Sequence, residues 1–252
     1  MKKVLIIIAV SLSINGIYAQ KGAADLHKGM FATAMQHRDI GSAIMAGNYV
    51  VTLEGDKSTY LDSLAYLYLA ANQIQSCQIV CERILKNEPE KLSIIELKGR
   101  CLITENRVFD AIAAYELLFK KTNEIAFGFT LARLQYTGKR LAEALNTANV
   151  SLKLKAEDDK KEKINVAEVS GNKGQTQAVF IKAAIYNLRG LIIYELDPNV
   201  NKKEAANSFE EALKLEPTYQ LAKQNKETLA SIDAAKTAAP TPTTPAATKN
   251  WT

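Results

Sequence analysis

Along most of the chain, apolar residues recur every three or four positions, with polar and charged residues between them. No proline occurs between Pro89 and Pro198, glycine is sparse there, and β-branched residues never form alternating runs. Since proline interrupts helices and strands need a period of two, these long apolar stretches predict helices. The pattern favours an all-α fold over a β-sandwich or a doubly wound α/β sheet.

The helical pattern repeats after about 34 residues. Each copy has a small residue in its first helical segment, with steps of 34 and 33 residues between the first three. These residues are Ala65, Gly99, Ala132 and Gly190. The later positions of the four copies are Cys77, Cys81, Ile84 and Pro89; Ala111, Tyr115, Leu118 and Asn123; Ala144, Ala148, Ser151 and Ala156; and Ala205, Phe209, Ala212 and Pro217. A degenerate first copy has Phe31, Ala43, Gly47, Val50 and Gly55.

The last copy is the fullest, over Glu204–Pro217, and its longer first spacing fits an extended turn at Asp197–Val200. The pattern resembles the tetratricopeptide repeat (TPR), a helix–turn–helix unit of 34 residues. The resemblance covers residues 24–157 and 183–217. It implies a right-handed α-α superhelix, a TPR solenoid with a concave groove, closed by a C-terminal capping helix. A non-repetitive helical bundle is the alternative.

The predicted organisation is a signal peptide, a repeat domain and a tail. The bounds are 1–19 for the signal peptide, 20–236 for the repeat domain, 24–57, 58–91, 92–124, 125–157 and 183–218 for its copies, 219–235 for the capping helix and 237–252 for the tail. Between the fourth and last copies, Lys155–Lys163 predicts a solvated helix extension and Val169–Gln177 a loop.

Residues 1–19 have the three parts of a secretory signal: a basic start at Lys2 and Lys3, an apolar stretch from Val4 to Ile14, and a small residue at Ala19. This predicts cleavage after Ala19 and export, to the periplasm or outside of a bacterial cell, with no stable membrane span afterwards. An uncleaved anchor is the alternative, but the apolar stretch is short for a bilayer. The tail is rich in Pro, Thr and Ala, which predicts disorder.

The net charge and the histidine and cysteine residues argue against several kinds of partner and site. The formal charge of +5 falls to +3 without Lys2 and Lys3 (30 basic against 27 acidic residues), too weak and dispersed for a nucleic-acid partner. The two histidines, His27 and His37, have no zinc-like spacing with cysteine, so we expect no metal and no cofactor. Cysteines 77, 81 and 101 are interpreted as buried thiols, with a Cys81–Cys101 disulfide as the alternative.

The resemblance also places candidate partner-binding residues in the groove, beside the packing positions of the first helices. They are Asp62, Tyr66, Glu96, Arg100, Phe129, Arg133, Tyr136, Asn187, Leu191 and Tyr194. Aromatic and arginine side chains suit extended polypeptides. We therefore expect an exported scaffold or adaptor with a protein or peptide partner, and not an enzyme. The alternatives are a structural or assembly subunit of a cell-envelope complex, its groove filled by residues 158–182, and, more distantly, an enzyme.

Overall fold

The structure, a computed structural model, describes residues 21–154, 163–167 and 176–238. The predicted signal peptide, residues 155–162 and 168–175 of the predicted helix extension and loop, and the tail from residue 239 onward lie outside the described residues. Thr237 and Ala238, predicted to belong to the tail, are the last residues of a helix.

Within the described residues the chain forms eleven helices and one β-hairpin. Residues 21–36 are helical and are called α1. The later elements are α2 (Ile40–Glu54), a 3-10 turn (Gly55–Lys57), α3 (Tyr60–Ala70), α4 (Ile74–Asn87), α5 (Leu92–Thr104), α6 (Val108–Thr122), α7 (Ile125–Thr137), α8 (Leu141–Lys153), β1 (Lys163–Ala167), β2 (Thr176–Phe180), α9 (Ile181–Leu196), α10 (Lys202–Leu215) and α11 (Gln220–Ala238).

The chain divides into two compact units between Lys121 and Thr122. Unit 1 contains α1–α6 and has a core of aliphatic, alanine and cysteine side chains around Leu64 and Ile94. Unit 2 contains α7–α11 and the hairpin, with apolar clusters around Ile185, Tyr219 and Phe209. Within each unit, the two helices of a pair pack against each other and are joined by a short turn, as expected for helix pairs.

Four turns that join a first helix to a second use the same backbone conformation. Each contains one residue with φ between 56° and 60°, at intervals of 34, 34 and 33 residues: Arg38, Asn72, Asn106 and Lys139. The following N–H donates to the carbonyl five residues back, as Gln73 N does to Tyr68 O at 2.8 Å. This bond satisfies a carbonyl that the helix end leaves without a partner. The turn geometry therefore recurs with the period of the sequence.

Arg38 is strained at this position because its Cβ crowds the backbone in the left-handed region. We expect Arg38→Gly to raise the free energy of unfolding by about 1 kcal/mol, since glycine lacks that Cβ. The matched control is Arg133→Gly, inside α7, which should lower it by about 1 kcal/mol. Urea denaturation followed by circular dichroism measures both, and a destabilised Arg38→Gly variant would contradict the turn conformation.

A small residue faces a large one where the two helices of a pair cross. A Cβ added at Gly99 would lie 2.9 Å from the Tyr115 ring, and one at Gly190 would lie 2.5 Å from the Phe209 ring. In the first pair the sizes are exchanged: Phe31 is on the first helix, and a Cβ at Gly47 on the second would lie 3.3 Å from its ring. The degenerate first copy therefore also has a small residue facing a large one, but the large residue is on the first helix and the small residue is on the second.

The β-hairpin corrects the sequence analysis, which predicted helix at Lys163 and loop at Thr176 and Gln177. β1 and β2 pair antiparallel, with Ile164 opposite Val179. Ile164 and Val166 alternate with the exposed Lys163 and Asn165, so one face of β1 packs on the helices. An apolar alternation over only five residues is a weak signal beside long helical patterns.

Candidate interaction surface

In unit 1 the candidate residues Tyr66 and Arg100 project from adjacent first helices. Ala65 and Gly99 are buried at the positions just before them. Because successive helical residues point about 100° apart, the next side chain on each helix turns away from the packing interface. The Tyr66 side chain is 46% exposed, and Arg100 is also exposed. This aromatic and cationic pair lies on the α3 and α5 surface.

The two candidate carboxylates of unit 1 differ in their surroundings. Asp62 on α3 accepts a hydrogen bond from Lys91 Nζ at 2.8 Å, an ion pair that ties α3 to the start of α5. The hydrogen bond to Asp62 raises the pKa of Lys91 above its ordinary value. Glu96, on the following first helix, is half-buried. Asp62 is therefore already part of a helix-to-helix contact, beside the exposed Tyr66.

In unit 2, α7 carries two candidates that reach solvent to different extents. Arg133 is exposed, whereas Tyr136 is half-buried against the α7–α9 cluster. Burial, together with a hydrogen bond to Glu195 on α9, raises the pKa of Tyr136 to about 12. Lys139 forms an ion pair with Glu195 and lies 5.7 Å from the centre of the Tyr136 ring. Tyr136 is held in place by its neighbours, so it offers a fixed ring face and edge.

The last three candidates are partly covered by α11. Asn187 is buried, and its side-chain oxygen accepts a hydrogen bond from Asn225 Nδ2 at 2.8 Å. Leu191 and Tyr194 pack in the cluster that contains Leu229 of α11. The expectation of an accessible Asn187 is therefore corrected: α11 packs against α9 at this position. The repeat pattern does not indicate this contact, because α11 follows the last copy as a capping helix.

Phe129, the remaining candidate on α7, is partly buried. Like Ile164 of β1, it packs against two buried apolar clusters, and Val166 packs against one of the two. Both β1 residues belong to the segment 158–182, which the alternative function places in the groove. In unit 2 the candidate Phe129 and the inserted hairpin therefore share buried apolar neighbours.

Polar contacts fix the hairpin to the turn between α10 and α11. The Gln177 side chain donates to Thr218 O at 2.7 Å and accepts from Gln220 N at 3.0 Å. Lys163 Nζ lies 3.3 Å from a carboxylate oxygen of Glu216, which is buried. Hydrogen bonds from Thr218 and Lys163 hold the pKa of Glu216 below its usual range despite its burial. The hairpin is therefore joined to unit 2 by both apolar and polar contacts.

The three cysteines are buried free thiols, as interpreted from the sequence, and the alternative Cys81–Cys101 disulfide is not formed. The Cys77 and Cys81 sulfurs lie 4.0 Å apart on α4. Hydrogen bonding with Cys101 lowers the pKa of Cys77, but hydrogen bonding with Cys81 and burial outweigh it and raise the pKa to about 12. Thiolate is the reactive form, so this environment suppresses thiol chemistry.

We expect the native thiols to resist alkylation. Iodoacetamide at pH 8 should leave Cys77, Cys81 and Cys101 unmodified in the folded chain and modify all three in 6 M guanidinium chloride, because only unfolding exposes them. Intact-mass spectrometry counts the adducts. Rapid alkylation of any one thiol under native conditions would contradict the burial of this cluster.

Among the described residues, no group of three or more His, Cys, Asp or Glu side chains is arranged to hold a metal ion. None of the described helices combines the length and apolar character needed to cross a bilayer.

The paired helices, their recurrent turns and their small-to-large contacts define a tetratricopeptide-type all-α solenoid, as predicted. Comparison with solved structures supports this class. The chain is similar to YrrB, described as a TPR protein with an unusual peptide-binding site: TM-score 0.62, 14% identity, with 85% of this chain and 97% of that chain covered. It is also similar to a MamA chain from Desulfovibrio magneticus RS-1, with a TM-score of 0.59, 14% identity, and coverage of 78% and 97%.

At this level of identity the similarity concerns the fold. No protein-family model matches the chain, and no curated protein matches it either.

Proposed function

We propose that the chain is an exported interaction scaffold that binds an extended polypeptide partner along its first helices. The observation that carries the proposal is the exposed pair Tyr66 and Arg100, which occupy equivalent positions on the adjacent helices α3 and α5. Arg133 occupies the equivalent position on α7 in unit 2. An aromatic side chain contributes apolar area, and a guanidinium group donates several hydrogen bonds to main-chain carbonyls or carboxylates.

Three further observations support this proposal. The rigid helices hold the exposed side chains at fixed positions, which lowers the entropy lost on binding. Tyr136 adds a ring held by Glu195 and Lys139. The fold neighbour YrrB is described as having a peptide-binding site, and peptide binding is proposed for this chain as well.

Photo-crosslinking in living cells tests the surface directly. A benzophenone amino acid at Tyr66 should give adducts with a partner of discrete mass. The same residue at Leu117 on α6, a side chain that is 38% exposed, should give none, because α6 is a second helix. Adducts of equal yield at both positions, or none at Tyr66, would count against the proposed surface.

Charge reversal measures the contribution of the arginines. We expect Arg100→Glu/Arg133→Glu to reduce recovery of the crosslinked partner at least tenfold, since two favourable contacts become repulsive or are lost. The control, Lys120→Glu/Lys153→Glu, makes the same change in charge on the second helices α6 and α8 and should retain the partner. Full recovery with the arginine variant would remove these residues from the site.

Export rests on the signal-like residues 1–19 and has its own test. The mature chain should begin at Gln20 and fractionate with the periplasm or the medium. Amino-terminal sequencing and fractionation measure this, and a chain that retains Met1 in the cytosol would refute export without bearing on the interaction surface.

A structural subunit of a cell-envelope complex is the second candidate, favoured by the hairpin, which packs against the same buried clusters as Phe129. In that case the first helices of unit 2 are occupied by the chain itself, and other surfaces make the contacts. Deletion of residues 239–252 would then abolish partner recovery, whereas the arginine variant would not. The opposite pattern favours the scaffold.

A further inference from the structure

A groove of about 430 Å³ lies between the start of α10 and the middle of α11 in unit 2. Its apolar lining includes Leu229, which is 5% exposed, and Val200, which is 76% exposed. Among the described residues no second helix follows α11, whereas in the preceding pair α10 packs along α9. The groove therefore offers apolar contact surface that is open to solvent.

Three lysines line this groove, and no carboxylate is among its lining residues. Lys202 and Lys203 are the first two residues of α10, and Lys226 lies on α11. The Lys203 ammonium group has no ion-pair or hydrogen-bond partner among the described residues. Positive charges at the start of a helix oppose its dipole, so these two lysines do not stabilise α10 through it. The groove therefore combines an apolar lining with an excess of positive charge.

The carboxylates that are nearest to this groove in the sequence have other partners. Glu204 pairs with Arg189 of α9 at 2.6 Å, and Glu210 pairs with Lys226 at 3.0 Å. The Asp197 side chain accepts hydrogen bonds from two backbone N–H groups of the turn before α10, at 3.0 and 3.1 Å. Since none of these carboxylates lines the groove, the positive charge at the start of α10 is left for a ligand.

We propose that this groove binds an acidic, amphipathic peptide segment of a protein partner. Apolar side chains of the segment pack against Val200 and Leu229, and its carboxylates lie beside Lys202, Lys203 and Lys226. The opposite charges set the orientation of the segment, and the apolar contacts contribute affinity. None of the candidate residues on the first helices lines this groove, so the inference does not depend on the proposed function.

Other occupants fit the composition of the groove less well. Residues 239–252, which follow α11, contain one lysine and no carboxylate side chain, so their side-chain charge does not complement the groove. No aromatic side chain lines the groove to stack on a nucleotide base. A bilayer surface is flat, so its headgroups would reach the lysines but leave the buried Leu229 without a new contact.

Methyl NMR spectroscopy of the full chain, with a synthetic peptide as the probe, tests the location and the chemistry of the site. The probe is an amphipathic peptide of leucine, alanine and glutamate, and its control has glutamine at every glutamate position. We expect the acidic peptide to shift the methyl signals of Val200 and Leu229, and the glutamine peptide to bind at least tenfold more weakly. Equal affinity of the two peptides, or shifts concentrated at other methyl groups, overturns the proposal.

Charge reversal separates this groove from a general attraction to basic residues. Lys203→Glu/Lys226→Glu should weaken binding of the acidic peptide at least tenfold with an unchanged circular dichroism spectrum, because both side chains reach solvent. The control, Lys120→Glu/Lys121→Glu on α6, makes the same change of charge and also breaks one ion pair, that of Lys121 with Glu90. It should bind as the wild type does. Lys203→Gln, which leaves the Lys226 ion pair intact, should give an intermediate loss. Unchanged binding by the Lys203→Glu/Lys226→Glu variant refutes the placement of the site.

Two further measurements distinguish the other occupants. Deletion of residues 239–252 should leave the Val200 methyl signal unchanged in the absence of peptide. A change as large as the one that the peptide causes would show that these residues fill the groove, which overturns the proposal. Tighter binding to vesicles that contain phosphatidylglycerol, or to a single-stranded DNA oligonucleotide, than to the acidic peptide also overturns it if the glutamate variant loses that binding.

Discussion

Replacement of Gly190 with alanine is expected to lower the free energy of unfolding of unit 2 by about 1–3 kcal/mol. The added methyl would lie 2.5 Å from Phe209 Cε1 and under 3 Å from two further ring carbons. Phe209 is almost fully buried between α9 and α10, so its ring cannot rotate away without displacing its neighbours. Alanine also stabilises a helix by about 1 kcal/mol relative to glycine. The variant is therefore less stable than the wild type only if the cost of overpacking is larger than this gain.

The matched control separates these two effects. Gly29→Ala adds the same methyl to a helix at a position with no atom within 4 Å, so propensity alone should stabilise unit 1. Hydrogen exchange measured by mass spectrometry reports each unit separately: protection of α9 and α10 should fall in the Gly190 variant. If the alanine no longer lowers this protection when Phe209 is also replaced, in Gly190→Ala/Phe209→Leu, then the loss in the single variant is caused by contact with the ring. If Gly190→Ala were as stable as the wild type, the close contact would be refuted.

An exchange of sizes in the first helix pair should produce the largest coupling in the molecule. Gly47→Phe alone is expected to cost about 3 kcal/mol or more, because its Cβ would lie 2.9 Å from a Leu64 methyl and 3.3 Å from the Phe31 ring. Phe31→Gly alone removes a partly buried ring and places glycine inside a helix, and these two losses together also cost about 3 kcal/mol.

The double variant, Phe31→Gly/Gly47→Phe, gives the first pair the order found at Gly190 and Phe209. We expect it to recover at least half of the summed loss, with the remaining cost arising from contact with Leu64. A double-mutant cycle on the free energies of unfolding measures the coupling. Additive losses would show that the two positions do not form one contact.

The contrast between these pairs shows how far the sequence could predict the fold. The small residues Ala65, Gly99 and Gly190 indicate the first helices of their copies. Asn72 and Asn106 are a residue type that tolerates the left-handed backbone conformation of the turns. In the first pair, however, the order of large and small residues is reversed, so a comparison of single positions finds little similarity although the sum of volumes is conserved. Packing constrains the pair of residues, whereas the sequence pattern records each residue alone.

The candidate surface was predictable in part for a related reason. Position within the copy correctly indicates that Tyr66, Arg100 and Arg133 point away from the packing interface. It does not indicate what else packs there. Asn187 is buried and bonded to Asn225 of α11, and Phe129 shares its buried neighbours with a hairpin whose five-residue strands carry a weak signal. These contacts depend on segments outside the repeating pattern.

The hairpin shows where this architecture accommodates added sequence. α8 still packs directly against α9 although the chain between them leaves to form β1 and β2. Because each helix pair of a solenoid contacts chiefly its neighbours, an insertion between pairs disturbs little beyond the side chains that it touches. The junction between α8 and α9 is thus a natural place for the lineage of this chain to gain segments of new specificity, and a suitable place for a designer to add one, without redesigning the helices around it.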